Sequence, residues 1–242
     1  MKLLRALLPA AIALTAAAPV SADAPTPQQI RKFLADYGKC ITKREPELAR
    51  KAVLTGADFS IKSDEGKRLL QRECVDLEEL RNTSSGFRGK LRMGEDDYRG
   101  TIADALIARD AAQLAASDFS AVPALTYEEP RPLKMNFSDG KPIPEERLAR
   151  QRVAIERKLV ANRLGKLGEC VVRTAAAPSR AVLATPIDSS AELQALQGVT
   201  PALQQCLPVG ETAAFDRMSL RGTLAVAYYR LASAAQTSGA VK

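Results

Sequence analysis

Histidine and tryptophan are absent from the 242 residues. Without histidine there is no Ser-His-Asp or Cys-His relay, and zinc loses its usual nitrogen ligand. The four cysteines never stand in Cys-x-x-Cys spacing, which argues against a thiolate metal cluster or a low-pKa redox pair. Aromatic residues make up only 5% of the chain, too few for base stacking, so the net charge of +7 does not point to nucleic acid. There is no phosphate-cradling glycine loop and no nucleotide fingerprint. Past the N-terminus no apolar run reaches the roughly 20 residues of a membrane span. These absences leave no expected metal or cofactor.

The N-terminus reads as a signal peptide over residues 1–22. Lys2 and Arg5 precede an apolar stretch from Ala6 to Ala18, and Val20-Ser21-Ala22 supplies the small residues of a cleavage site. Removing it takes away two basic and no acidic residues, so the net charge from Asp23 onward is +5. The expected location is the periplasm or the exterior, with no membrane-spanning segment left after cleavage.

From there the chain contains one pattern twice. Gly38-Lys39-Cys40 leads through Cys74 to Arg99-Gly100-Thr101, and Gly168-Glu169-Cys170 leads through Cys206 to Arg221-Gly222-Thr223. The first anchors are offset by a constant 130 positions, which also places Arg50 on Arg180 and Thr55 on Thr185. The second cysteines are offset by 132 and the Arg-Gly-Thr motifs by 122, so anchors stay while connections vary. The pattern resembles uncharacterised exported bacterial proteins built from a two-cysteine, Arg-Gly helical unit. That resemblance covers most of the chain after the signal peptide and implies a fold, with no activity attached.

Four cysteines in an exported chain form a disulfide framework. Three pairings are possible, and duplication selects Cys40–Cys74 and Cys170–Cys206, one bridge per copy. Apolar spacing of three and four predicts helices over Thr26–Arg44, from Pro46 to Leu54, from Ser63 toward Cys74, and from Glu95 through Leu106. A long helix follows over Glu145–Arg173, with Val153, Val160, Leu164, Leu167 and Val171 on one face, widened by Leu148, Ile155 and Leu159. The last helix carries Leu220, Leu224, Ala227, Tyr228 and Leu231, with fraying expected from Ser233 to Lys242. Asn82 to Gly89 reads as a polar loop. Residues 117–144 hold five prolines and read as an irregular linker with a short extended piece near Ala124 to Tyr127. Nothing alternates like a strand. The expected fold is all-α, with two tandem disulfide-stapled helical modules, 23–116 and 145–242, related by internal duplication.

Two sets of polar residues are candidates for chemistry. Arg99 and Arg221 each stand beside a glycine at a helix start, where free amides favour anions. They are either a pair of small-anion sites or structural ties within each module, with Gly100 and Gly222 admitting a neighbouring helix. Glu95-Asp96-Asp97 with Asp104 offers carboxylates for acid–base work, the basis of a histidine-free hydrolase or lyase using Asp97 and Asp104. The second copy places Arg217, Met218 and Ser219 at the acidic run and Val226 at Asp104, and first-turn acids also serve the helix dipole. The 145–173 helix carries eight basic and four acidic residues, a surface for anionic lipid headgroups or an acidic partner. The reading the sequence favours is an exported, non-enzymatic helical protein with a binding or envelope-support role and no catalytic residue.

Overall fold

The structure, a computed structural model, describes residues 26–57, 59–60, 62–74, 94–114, 118–208, 210 and 214–237. The signal peptide and the Asn82–Gly89 loop lie outside them. Eight α-helices occur among the described residues: α1 Pro27–Arg44, α2 Pro46–Leu54, α3 Asp64–Leu69, α4 Glu95–Arg109, α5 Glu145–Thr174, α6 Ala176–Ala184, α7 Ser190–Cys206 and α8 Arg217–Thr237. The class is all-α, as expected. The one β-type contact among the described residues is an isolated antiparallel bridge between Asn136 and Pro142.

Local chemistry sets most helix ends. Thr26 and Gln29 form a reciprocal capping box at α1, and Pro27 occupies its first turn. Pro46 opens α2, and Gly56, at φ +91°, takes the left-handed turn that ends it. Ser63 caps α3, which stops at Leu69 rather than running on to Cys74; a 3-10 turn, Arg72–Cys74, finishes the segment. Ser189 caps α7.

Both expected bridges are present, Cys40–Cys74 and Cys170–Cys206. Each ties the C-terminal part of a long helix, α1 or α5, to the end of the disulfide loop that follows it. Such bridges belong to an oxidising compartment, and among the described residues no helix is long and apolar enough to cross a membrane.

The two halves share one core. Tyr37 and Ile41 of α1, Ala52 of α2, Ile102 and Leu106 of α4, Val171 of α5, Val182 of α6, Val199 of α7 and Leu231 of α8 all belong to a single buried cluster. At its centre lies α8, buried nearly all round from Leu224 to Ala235, as a helix enclosed by others must be. Of the segment expected to fray, residues 233–237 are helical, with Ala235 buried; residues 238–242 lie outside the described residues.

Residues 118–144 form no regular element but act as a strap along α5. Arg173 donates to the carbonyls of Phe119, Val122 and Pro123, and Glu169 accepts from the Leu125 amide and the Tyr127 hydroxyl. The Tyr127 ring packs against Gly165, where a Cβ would sit 2.4 Å from a ring carbon. Farther along, Asn162 donates to the Glu128 carbonyl, and Gln151 exchanges hydrogen bonds with the Lys134 backbone.

The strap changes which side of α5 is buried. Val171 and Leu167 pack inward as expected. In the N-terminal half Leu148 is buried, as expected, whereas Val153 and Val160 are 50% and 43% exposed. Val153 and Val160, expected in the core, are therefore on the surface.

Candidate functional site

The two Arg-Gly-Thr motifs meet. α4 and α8 cross at their glycines, so closely that a Cβ on Gly100 would lie 2.7 Å from the Gly222 Cα. Each motif's threonine receives a second glycine from its own half. A Cβ on Gly38 would lie 2.6 Å from the Thr101 carbonyl oxygen, and one on Gly168 would lie 2.9 Å from that of Thr223. Four glycines thus let four helices approach at backbone distance.

The arginines point away from this crossing toward a helix end. The last carbonyls of a helix have no intrahelical donor. Arg99 donates from Nε to the Ala52 carbonyl in the last turn of α2. Arg221 donates to the Val182 and Leu183 carbonyls in the last turn of α6, at 3.0 and 3.2 Å. Both act as C-terminal caps, and the helix dipole favours a cation there.

Their further partners differ. Arg99 pairs with Glu95 at 2.5 Å and Asp96 at 3.5 Å on its own helix, with 22% of its side chain exposed. Arg221 is 8% exposed. It holds Asp104 of α4 in a two-point fork, Nε to Oδ2 at 3.0 Å and Nη2 to Oδ1 at 3.1 Å. Its Nη1 also donates to Glu192 of α7 at 3.1 Å. Glu192 is fully buried and accepts two further bonds from Arg31 of α1, at 2.8 and 2.6 Å. Arg31 in turn reaches Asp188 at 3.2 Å. Asp188 is the one described non-glycine residue at positive φ (62°), and its amide donates to Glu192. Two guanidiniums and three carboxylates thus tie α1 and α4 to the second half of the chain.

The sequence singled out Arg99, Arg221, Asp97 and Asp104 but not Arg31, Asp188 or Glu192. The one local signal that could have drawn attention to Glu192 is the Ser189…Glu192 spacing of a capping box. The structure brings Arg221 and Asp104 together and leaves Arg99 outside this network. Asp97 caps its own helix, accepting from the Gly94 amide at 3.0 Å. Burial holds its carboxyl above the ordinary range; the Gly94 amide opposes this, while Asp96 and Asp216 push it further up. Burial also raises Asp104, an effect that the Arg221 fork reduces without cancelling.

A broad groove of about 1760 Å³ runs between α5 and the α4–α8 crossing. Val160 and Leu164 form part of one wall, Gly222 and Val226 part of the other, and Asp97 and Arg230 also line it. Among the described residues no cluster of acids and cysteines has the geometry of a metal site. No protein-family profile, curated protein or solved structure matches the chain.

Proposed function

We propose that this is an exported, non-catalytic helical protein that binds a partner at the cell envelope, built from two halves descended from one unit. The observation that carries the reading is how the candidate chemistry is engaged. Asp104 is locked in the fork of Arg221, Asp97 closes a helix end, and both arginines cap helices. A general base must be able to reach a substrate proton, and an anion site needs donors that are not already satisfied. This arrangement favours structure over the hydrolase or lyase and the small-anion readings. Common descent is supported by the paired contacts: Gly38 on Thr101 matches Gly168 on Thr223, and the carbonyls of Ala52 and Val182 stand 130 positions apart.

Thermal melts with and without inorganic phosphate at fixed ionic strength test the site reading. We expect no phosphate response. Stabilisation by phosphate that disappears in Arg99→Ala would replace this reading with the anion-binding one. N-terminal sequencing of the exported protein tests the compartment, with Asp23 expected as the first residue.

A further inference from the structure

The net charge is not spread evenly. Between residues 128 and 166 ten lysines and arginines stand against six acids. This limb, the strap and the first two-thirds of α5, therefore carries +4 of the +5 that follows Ala22. Three of the four large hydrophobic residues exposed among the described residues, Met135, Val153 and Val160, lie on the same limb. Charge and exposed apolar surface thus converge on one part of the molecule.

Their arrangement on α5 is specific. At 100° per residue, Ala149, Val153 and Val160 fall on one line along the side opposite the strap-facing Gln151 and Asn162. Arg150 and Arg157 flank that line on one side, Arg152 and Arg163 on the other. Part of this charge is neutralised within the limb, because Arg150 pairs with Glu146, Arg152 with Glu145 and Lys158 with Glu128. Arg157, Arg163 and Lys166 are exposed and have no hydrogen-bond or ion-pair partner among the described residues.

We infer that this face of α5 docks on an anionic phospholipid surface, with Val153 and Val160 at the level of the headgroups and Arg157 and Arg163 on the phosphates, while Lys166, toward the strap side, adds to the positive field of the limb. The inference rests on the reading of the chain as an exported binding protein and names its partner. A narrow apolar line with cations on both flanks is the pattern of a helix lying in a membrane interface. Of the unpaired cations, Arg157 and Arg163 stand about 9 Å apart along the helix and on opposite flanks of the valine line. A headgroup plane offers phosphates to both sides at once, whereas an acidic peptide laid along the helix would satisfy one. Two valines give little partition energy alone, so the binding depends on charge and weakens with salt.

The test is sedimentation of the exported, disulfide-bonded chain with vesicles of phosphatidylglycerol and phosphatidylcholine, against phosphatidylcholine alone, at low and high salt. We expect binding only to the anionic vesicles and its loss at high salt. Each removed charge should cost about five-fold in affinity, so the triple variant Arg157→Gln, Arg163→Gln, Lys166→Gln should bind roughly a hundred-fold more weakly. Val153→Ser with Val160→Ser should weaken binding while leaving its salt dependence in place, an arm that stands even if the triple variant does not fold. Equal sedimentation with both vesicle types, or a triple variant that binds like the parent, overturns the inference. So does a dimer in solution that dissociates when the valines are replaced, since the stripe then belongs to a second copy. A phosphate response at Arg99 would sink the non-catalytic binding reading without changing any of these vesicle results.

Discussion

Arg99 and Arg221 begin from the same task and end in different surroundings. Each caps the second helix of its own half, through the carbonyls of Ala52 and Val182. Beyond that, Arg99 finds two exposed acids one turn away on its own helix, whereas Arg221 finds Asp104 and Glu192 on two other helices. The shared contact gives the arginine of each half the same structural role. The unshared ones come from residues that only one half has: Asp104 faces Val226 in the pairing of the two motifs. Recurrence therefore marks what the fold needs of each half, and the residues that do not recur determine how the halves are joined.

The comparison predicts unequal damage. Arg221→Ala leaves the buried Glu192, the partly buried Asp104 and two carbonyls short of a donor, and removing one member of a buried ionic group costs about 3–5 kcal/mol. Arg99→Ala loses one carbonyl contact and two partly exposed pairs, about 1 kcal/mol. Urea denaturation of both variants measures the gap. Equal losses would mean that the Asp104 and Glu192 contacts add nothing to the cap. Lysine at 221 should recover only part of the loss, because the two-point fork needs a planar guanidinium.

The bridges should behave alike. They span 34 and 36 residues, and chain entropy assigns each about 4 kcal/mol. Replacing either pair by serine should lower the melting temperature by similar amounts. A large difference would show that one half keeps residual structure when its bridge is open.

The glycine crossing should again divide the halves. At Gly100 an added methyl meets the Gly222 Cα at 2.7 Å, and backbone cannot move aside like the end of a flexible side chain. At Gly222 the same methyl stands 3.3 Å from Gly100. Gly100→Ala should cost about 3 kcal/mol through overpacking. Gly222→Ala should cost under about 1 kcal/mol, since alanine's helix propensity offsets much of the contact. Denaturant midpoints decide this, and a Gly222→Ala variant that is the less stable of the two would place the crossing elsewhere.

These asymmetries mark the limit of what the sequence discloses. The bridges, the all-α class and the ends of α1, α2 and α5 were legible because recurrence and apolar spacing can be read from short stretches of sequence. The glycines were legible as sites of close approach, but not as partners of each other. Asp104 could not be paired with Arg221, 117 positions away, because nothing in its neighbourhood repeats. The long helix shows a second limit. Val153 and Val160 have the spacing of a buried face, yet spacing does not say which side a proline-rich strap will cover. Of that expected face, Leu148 and Val171 are buried, and Val153 and Val160 were left to solvent.

The smallest expected effect concerns the two helix starts. In α4, Asp97 reaches back to the Gly94 amide; before α8, Asp216 reaches forward to the Ser219 amide. The two arrangements are opposite halves of a capping box, and they place Asp97 near Asp216. Burial raises the Asp97 carboxyl in the folded chain, so its ionised form opposes folding. The associated stability is fully present below the unfolded carboxylate value of about 4 and is lost as pH rises through the raised folded value. Asparagine keeps an oxygen for the Gly94 amide and cannot ionise. Asp97→Asn should therefore melt above the parent at pH 7, with the gap closing as the solution is acidified below about pH 4. Giving α8 the same acid should act in the opposite direction. Ser219→Asp sets a third carboxylate beside Asp97 and Asp216 and should melt below the parent at pH 7, again converging at low pH. A lower melting temperature for Asp97→Asn at pH 7 would show that its charge serves the α4 dipole more than burial penalises it.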